Sequence, residues 1–238
     1  MAVRGILRDQ NRQEKYDFIS ESVHAEESST ADYIPVIPVI SDDTTNEPAE
    51  KETEPEILTQ YASMYEQNPD LFGWVCIEDT VLDYPVMHTP DDPEKYLRLS
   101  FEGETSTAGT PFMDAKCGID SDNYIIYGHN MKNGTMFGNL TGYTDAYFAA
   151  EHPVIDLQTA AGLSRYTVFA VAAVQKTDPW YDFIEAGSSA GFDEQVADLL
   201  CKACYTTGVI PAYGQQLLTL STCYGGGNGR LIVAAVKT

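Results

Sequence analysis

Between positions 129 and 230 the chain carries a thiol, an imidazole and a guanidinium, the three types that cysteine-based acyl transfer needs. Cys223 follows Leu217-Leu-Thr-Leu-Ser-Thr222, a run that reads as a strand, and precedes Tyr224-Gly-Gly-Gly-Asn-Gly-Arg230. A thiol at a strand end facing a glycine-rich loop is open to a substrate backbone, because glycine permits close approach. The same position also suits a small buried hydrophobe, which is how most unpaired cysteines behave. His129 ends Tyr124-Ile-Ile-Tyr-Gly-His129, just past a second strand pattern. There an imidazole can titrate and reach a neighbour, or simply face solvent. Arg230 opens the last apolar strand seven residues after Cys223. A short loop can return it beside the thiol, where a permanent cation stabilises an oxyanion or holds a carbonyl; otherwise it is an edge charge. Acting together, the thiolate attacks a carbonyl, the imidazolium protonates the leaving amine and the cation stabilises the tetrahedral intermediate. No carboxylate that orients His129 can be picked out, a departure from the Cys-His-Asp pattern. His24 is expected in solvent, and His88 and His152 in structural roles.

These residues need a scaffold that brings strand ends together. Eight short segments rich in Val, Ile, Tyr and Thr read as strands: 73–77, 82–88, 110–114, 123–127, 154–158, 165–175, 216–221 and 230–236. Closing them into a barrel removes exposed edges. The fold class expected is mainly β, a closed barrel of about eight strands with N-terminal helices and one helix inserted between the late strands. That helix is read at 193–205, with Val196, Leu199, Leu200, Ala203 and Cys204 on one face and Gly208 as its stop. Short helical turns are expected at 94–99 and 136–140, and a helix from Ile57 ends at Asn68-Pro69. Upstream, residues 1–23 read as a charged helix with a sparse apolar face. Residues 24–55 read as an acidic linker with Pro35, Pro38, Pro48 and Pro55, too polar to fold alone. The catalytic domain is then 56–238.

Composition narrows the function. With 36 acidic and 14 basic residues the 238-residue chain carries a net charge of −22, which repels phosphate backbones and argues against nucleic-acid binding. No apolar run reaches the 18 residues of a membrane span, and Met1–Gly5 does not begin a signal peptide. The five cysteines are too few for a disulfide scaffold. Cys201 and Cys204 form a C-x-x-C without a second pair or a nearby histidine, so a structural thiol pair on the helix is expected rather than a zinc site or a redox centre. No metal or cofactor is implied.

Three stretches together resemble the sortases, class B in particular. They are Asn68-Pro-Asp-Leu-Phe-Gly-Trp-Val75 with Asp83-Tyr-Pro-Val-Met87; Asn123-Tyr-Ile-Ile-Tyr-Gly-His-Asn-Met131 followed by Gly134-Thr-Met-Phe-Gly-Asn-Leu140; and Thr219-Leu-Ser-Thr-Cys223 with Arg230. The likeness spans roughly residues 56–238, and its parts stand at the right mutual distance. It implies a sortase barrel with a helix between the sixth and seventh strands. It also implies a cysteine transpeptidase on the outer face of a Gram-positive membrane. By this resemblance Cys223 is the nucleophile, His129 the acid/base, and Arg230 the oxyanion or substrate holder. Ser221, Thr222, Tyr181 and Met87 are implied for the peptide groove. The partners implied are a sorting-signal peptide of N-P-x-T-x or related form, cleaved after its threonine, and an amine of peptidoglycan or of a pilin lysine. Class B sortases usually have an N-terminal anchor. The charged Arg4–Lys15 segment resembles the stretch just after such an anchor, so a longer natural chain is expected. Two readings compete: a Cys–His peptidase that does not ligate, and a catalytically silent peptide-binding module. The glycine-rich loop is expected to be mobile, and Asp178-Pro-Trp180, which resembles the lid motif of class C enzymes, is read as a turn.

Overall fold

The computed structural model describes residue 16 and residues 64–238. Eight strands close into a barrel: β1 (Leu71–Cys76), β2 (Asp83–Met87), β3 (Phe112–Met113), β4 (Asn123–Tyr127), β5 (Val154–Thr159), β6 (Gly162–Gln175), β7 (Leu217–Cys223) and β8 (Gly229–Lys237). Their order around the barrel is β1-β2-β3-β4-β7-β8-β6-β5. Most neighbours are antiparallel, but β2 and β3 run parallel, and so do β4 and β7. All eight expected strands are present. β4 has the expected bounds and the others differ by a few residues at their ends, where ladder geometry decides what composition cannot.

Burial follows pattern. β7 is buried from Leu217 to Thr222, and β8 from Leu231 to Val236. Continuous burial means both faces are covered. Inside lies the barrel core. Outside, the 3-10 stretch Phe137–Thr144 packs on β6, β7 and β8, with Phe137 and Leu140 fully buried. Apolar area removed from water at ~25 cal/mol per Å² is what holds these layers together.

Helix α1 (Ala146–Glu151) has no counterpart among the expected elements. It is capped by Asp145, whose carboxylate accepts from the Tyr147 N–H at 2.9 Å, but six residues are too few to show a period. Helix α2 (Ser189–Lys202) lies between β6 and β7, as expected, with corrected bounds. It starts earlier because Ser188 caps the Gly191 N–H. It ends earlier because Ala203 turns extended and bridges Ala172 on β6. The helix leading into the barrel is described only at 64–67, and it does end at Asn68-Pro69, with Asn68 N–H bonded to Met64 O at 2.9 Å. Of the 1–23 helix only Tyr16 is described. It is helical and buried, with its ring edge-on to Tyr84 at 5.7 Å. The linker at 24–55 and His24 lie outside the described residues. Among the described residues, no helix is long and apolar enough to cross a membrane.

Candidate active site

The parallel β4–β7 seam sets the geometry. Tyr127 pairs with Ser221 at its last rung. Past that rung, Gly128 N–H still donates to Ser221 O at 3.1 Å, and Thr222 Oγ1 donates to Gly128 O at 2.8 Å. The chain carrying His129 therefore runs on beside the chain carrying Cys223. On the other side of β7, Cys223 faces Arg230 across the β7–β8 ladder. A thiol, an imidazole and a guanidinium thus meet at one end of the barrel.

They border a single cleft of about 510 Å³. Its lining includes Leu97, Tyr127, His129, Tyr181, Ser221, Thr222, Cys223 and Arg230. Cys223 is exposed, whereas Cys117 is buried and its thiol is pushed up to about 11 by burial. Cys201 and Cys204 are exposed but do not border the cleft. Only the first of these two is helical; Cys204 lies beyond the end of α2, so the expected pair on a helix is corrected to a pair straddling its end.

Among the described residues, no carboxylate is bonded to His129. Its Nε2 instead meets the carbonyl of Leu97 at 2.9 Å. A carbonyl only accepts, so Nε2 carries a hydrogen and Nδ1 is the nitrogen left to exchange a proton. The carbonyl belongs to a braced segment. Tyr96 O accepts from Thr110 N–H at 3.0 Å, Tyr96 OH donates to Asp70 at 2.9 Å, and Asn68 Nδ2 donates to Tyr96 OH at 2.7 Å. Lys95 bonds the same Asp70 at 2.5 Å, and this holds the carboxyl below its usual range. His88 is half-buried, pushed below its usual range by that burial, and stacked edge-on against Phe72. His152 caps α1 and contacts Glu78 O at 3.1 Å. Both fill structural positions.

A second brace brings in Tyr181. Asp178 caps the 3-10 turn Pro179–Asp182 and is held by Lys202 at 2.8 Å, so the Asp-Pro-Trp segment is a turn. Trp180, fully buried, donates to Thr219 Oγ1 at 3.0 Å, and Thr219 donates to Asn123 Oδ1 at 2.9 Å. Removing one partner from such a buried chain costs ~1–3 kcal/mol. The turn therefore sits firmly, with Tyr181 OH 2.7 Å from Ser221 Oγ and its ring stacked on Tyr127. Burial pushes the Tyr181 hydroxyl up to about 12, so it is neutral at any working pH.

Of the groove residues expected from sequence, Ser221, Thr222 and Tyr181 border the cleft. Met87 does not: it is fully buried on β2, paired with Phe112, and only the latter reaches the cleft. Being the last residue of a strand whose neighbours are equally buried, it fills the core. The glycine-rich loop is closed by three backbone bonds, Tyr224 N–H to Gly229 O, Gly229 N–H to Gly226 O, and Lys176 N–H to Asn228 O. Gly225, Gly226 and Gly227 have φ of 68°, 80° and 56°, a left-handed run that only glycine adopts cheaply.

Sequence reasoning missed Leu97, because a backbone carbonyl leaves no signature in residue type. It also missed why Gly128 precedes His129. A Cβ at Gly128 would stand 2.5 Å from the ring of Phe137, which is fully buried and cannot yield. Gly128→Ala is expected to destabilise the protein by ~1–3 kcal/mol, lowering Tm by about 5 °C in a thermal melt. An unchanged melt would mean that Phe137 yields after all.

The chain matches the family model described as Sortase domain over residues 75–238. Sortase B of Listeria monocytogenes is 32% identical over 171 residues, covering 71% of this chain and 68% of that protein. The crystal structure of sortase B from Bacillus anthracis in complex with AAEK1 superposes with a TM-score of 0.69 at 30% identity, over 75% of this chain and 84% of the other. A Staphylococcus aureus sortase B–substrate complex gives 0.80 over 98% of both chains; at 22% identity that likeness speaks for the fold. The helix between β6 and β7 and the strand ends that bear Cys223, His129 and Arg230 all lie inside the matched residues 75–238, and the chain belongs to the sortase family, within it to the sortase B type of cysteine transpeptidase.

Proposed function

We propose that the protein cleaves a C-terminal sorting motif of surface proteins after its threonine and joins the new carboxyl end to an amine of peptidoglycan or of a pilin lysine. The Cys223 thiolate attacks the threonine carbonyl carbon, and Arg230 stabilises the oxyanion. As the carbon–nitrogen bond breaks, His129 gives its Nδ1 proton to the leaving amine, and a thioester remains. The incoming amine attacks that thioester, its proton passes to His129, and the carbon–sulfur bond breaks to return the thiolate. The extended peptide lies in the cleft over Ser221, Thr222 and Tyr181. Sortases are enzymes of the Gram-positive cell envelope, and this reading sets the barrel on the outer face of the membrane, where sorting signals and peptidoglycan amines are both found.

One observation carries this reading: the seam past Tyr127 and Ser221 runs His129 and Cys223 side by side under one cleft, with Arg230 on the next strand. The staphylococcal sortase B structure is a complex with a substrate, which supports a substrate held in this cleft. The test is incubation with a panel of sorting-signal peptides, with and without triglycine, read by mass spectrometry. Cleaved peptide joined to triglycine is the expected product. Cleavage indifferent to the amine would indicate a peptidase. Binding without turnover across the panel would favour the silent module.

A further inference from the structure

We infer that Asn130 is a positioning residue that sets the spacing between Cys223 and His129. Its side-chain Nδ2 donates to the Cys223 carbonyl at 2.8 Å. A carbonyl only accepts, so the amide orientation is fixed by chemistry. The bond joins two segments that otherwise part. The backbone ladder between β4 and β7 ends with Gly128 N–H on Ser221 O. One residue later His129 O is taken by Phe137 N–H at 3.0 Å, and Asn130 itself pairs with Met136. The backbone here turns away from β7 towards the 136–137 segment. Asn130 sends its side chain back across the gap, so a side chain supplies the seam's last rung.

What that rung holds is the peptide unit between Cys223 and Tyr224. Its carbonyl takes the Asn130 bond and its N–H donates to Gly229 O at 3.0 Å. Beyond it lies the left-handed glycine turn, which has no side chains with which to brace the thiol. Asn130 therefore opposes motion of the nucleophile's backbone from the one side that also bears His129. A displacement of about 1 Å between reacting groups costs up to ~10²-fold in rate. Asn130 is exposed, so its loss should leave the barrel intact.

This inference rests on the proposed pairing of Cys223 with His129, and its test has an arm that needs no substrate. Hydrogen exchange at the Tyr224 amide and steady-state kinetics on the peptide panel would be compared for wild type, Asn130→Ala and Asn130→Asp. Asp keeps the shape but, ionised, presents only acceptors to the carbonyl. Both variants should exchange the Tyr224 amide about tenfold faster and lose ~10- to 100-fold in kcat, with KM within about twofold, Asp losing at least as much as Ala. Tm should move by less than ~3 °C. Unchanged exchange in Asn130→Ala would overturn the inference. So would near-normal kcat in Asn130→Asp, which would reduce the residue to shape, or a loss carried by KM, which would make it a substrate contact. If the wild-type enzyme turns over no peptide, the proposed function fails, and the exchange measurement still decides the clamp.

Discussion

Cys223→Ser is expected to lower transpeptidation by about 10⁴-fold or more while leaving the fold untouched. The change replaces one sulfur by oxygen at an exposed strand end, so packing hardly alters. The chemistry alters a great deal. A thiol loses its proton near pH 8.5 unaided, whereas a hydroxyl needs a strong neighbouring base. His129 is not backed by a carboxylate as in a serine triad; its Nε2 is bonded to the uncharged Leu97 carbonyl. The site is therefore suited to a nucleophile that is acidic on its own account. The other thiols cannot stand in. Cys117 is buried with its pKa pushed up to about 11, and Cys76, Cys201 and Cys204 do not border the cleft. The check is kcat on a cleaved sorting peptide, with mass spectrometry for the thioacyl adduct on the Cys223-containing fragment. Activity above about one per cent of wild type in the serine variant would point to another nucleophile.

The sequence was most informative where residue type and chemistry coincide. Strand patterns in β-branched and aromatic residues marked all eight strands, and Cys223, His129 and Arg230 fall at strand ends as the motif spacing implied. Ser221 and Thr222, which the resemblance implied for the groove, both border the cleft beside Cys223. Met87 shows the limit. The resemblance implied it for the groove, but it ends the continuously apolar run Tyr84-Pro-Val-Met87, and the closure of β2 onto β3 places it in the core.

What stayed hidden is mostly backbone. Leu97 orients His129 through a carbonyl that any residue would carry, and the Asn68–Tyr96–Asp70–Lys95 brace behind it spans residues far apart in sequence. Likewise Trp180, Thr219 and Asn123 look like unrelated core residues until the turn at Pro179–Asp182 folds onto β7. The end of α2 departs from expectation for a related reason. Composition favours helix through Tyr205, but the bridge from Ala203 to Ala172 pulls the chain extended first.

The same dependence on placement makes Arg230→Lys the other informative change, with an expected loss of ~10²-fold in kcat despite the conserved charge. Arg230 Nη1 donates to Gly229 O at 2.9 Å, which folds the side chain back along its own strand. Arg230 borders the cleft, and its charge lowers the Tyr181 hydroxyl against the rise that burial causes. Among the described residues no carboxylate pairs with it. A planar guanidinium can keep the Gly229 bond with one nitrogen and offer the others to an oxyanion beside Cys223. A lysine ammonium is a single point on a flexible stem and must choose between them. Arg230→Ala, lacking the charge altogether, should lose about 10³-fold. The measurement is kcat and KM for both variants on the same peptide. A loss in kcat with KM nearly unchanged is the mark of a group that acts on the tetrahedral intermediate, since ground-state binding is then unaffected. A rise in KM with kcat retained would instead make Arg230 a holder of the substrate carbonyl, and lysine at wild-type rates would show that charge alone, without the fork, is what the thioacyl step requires.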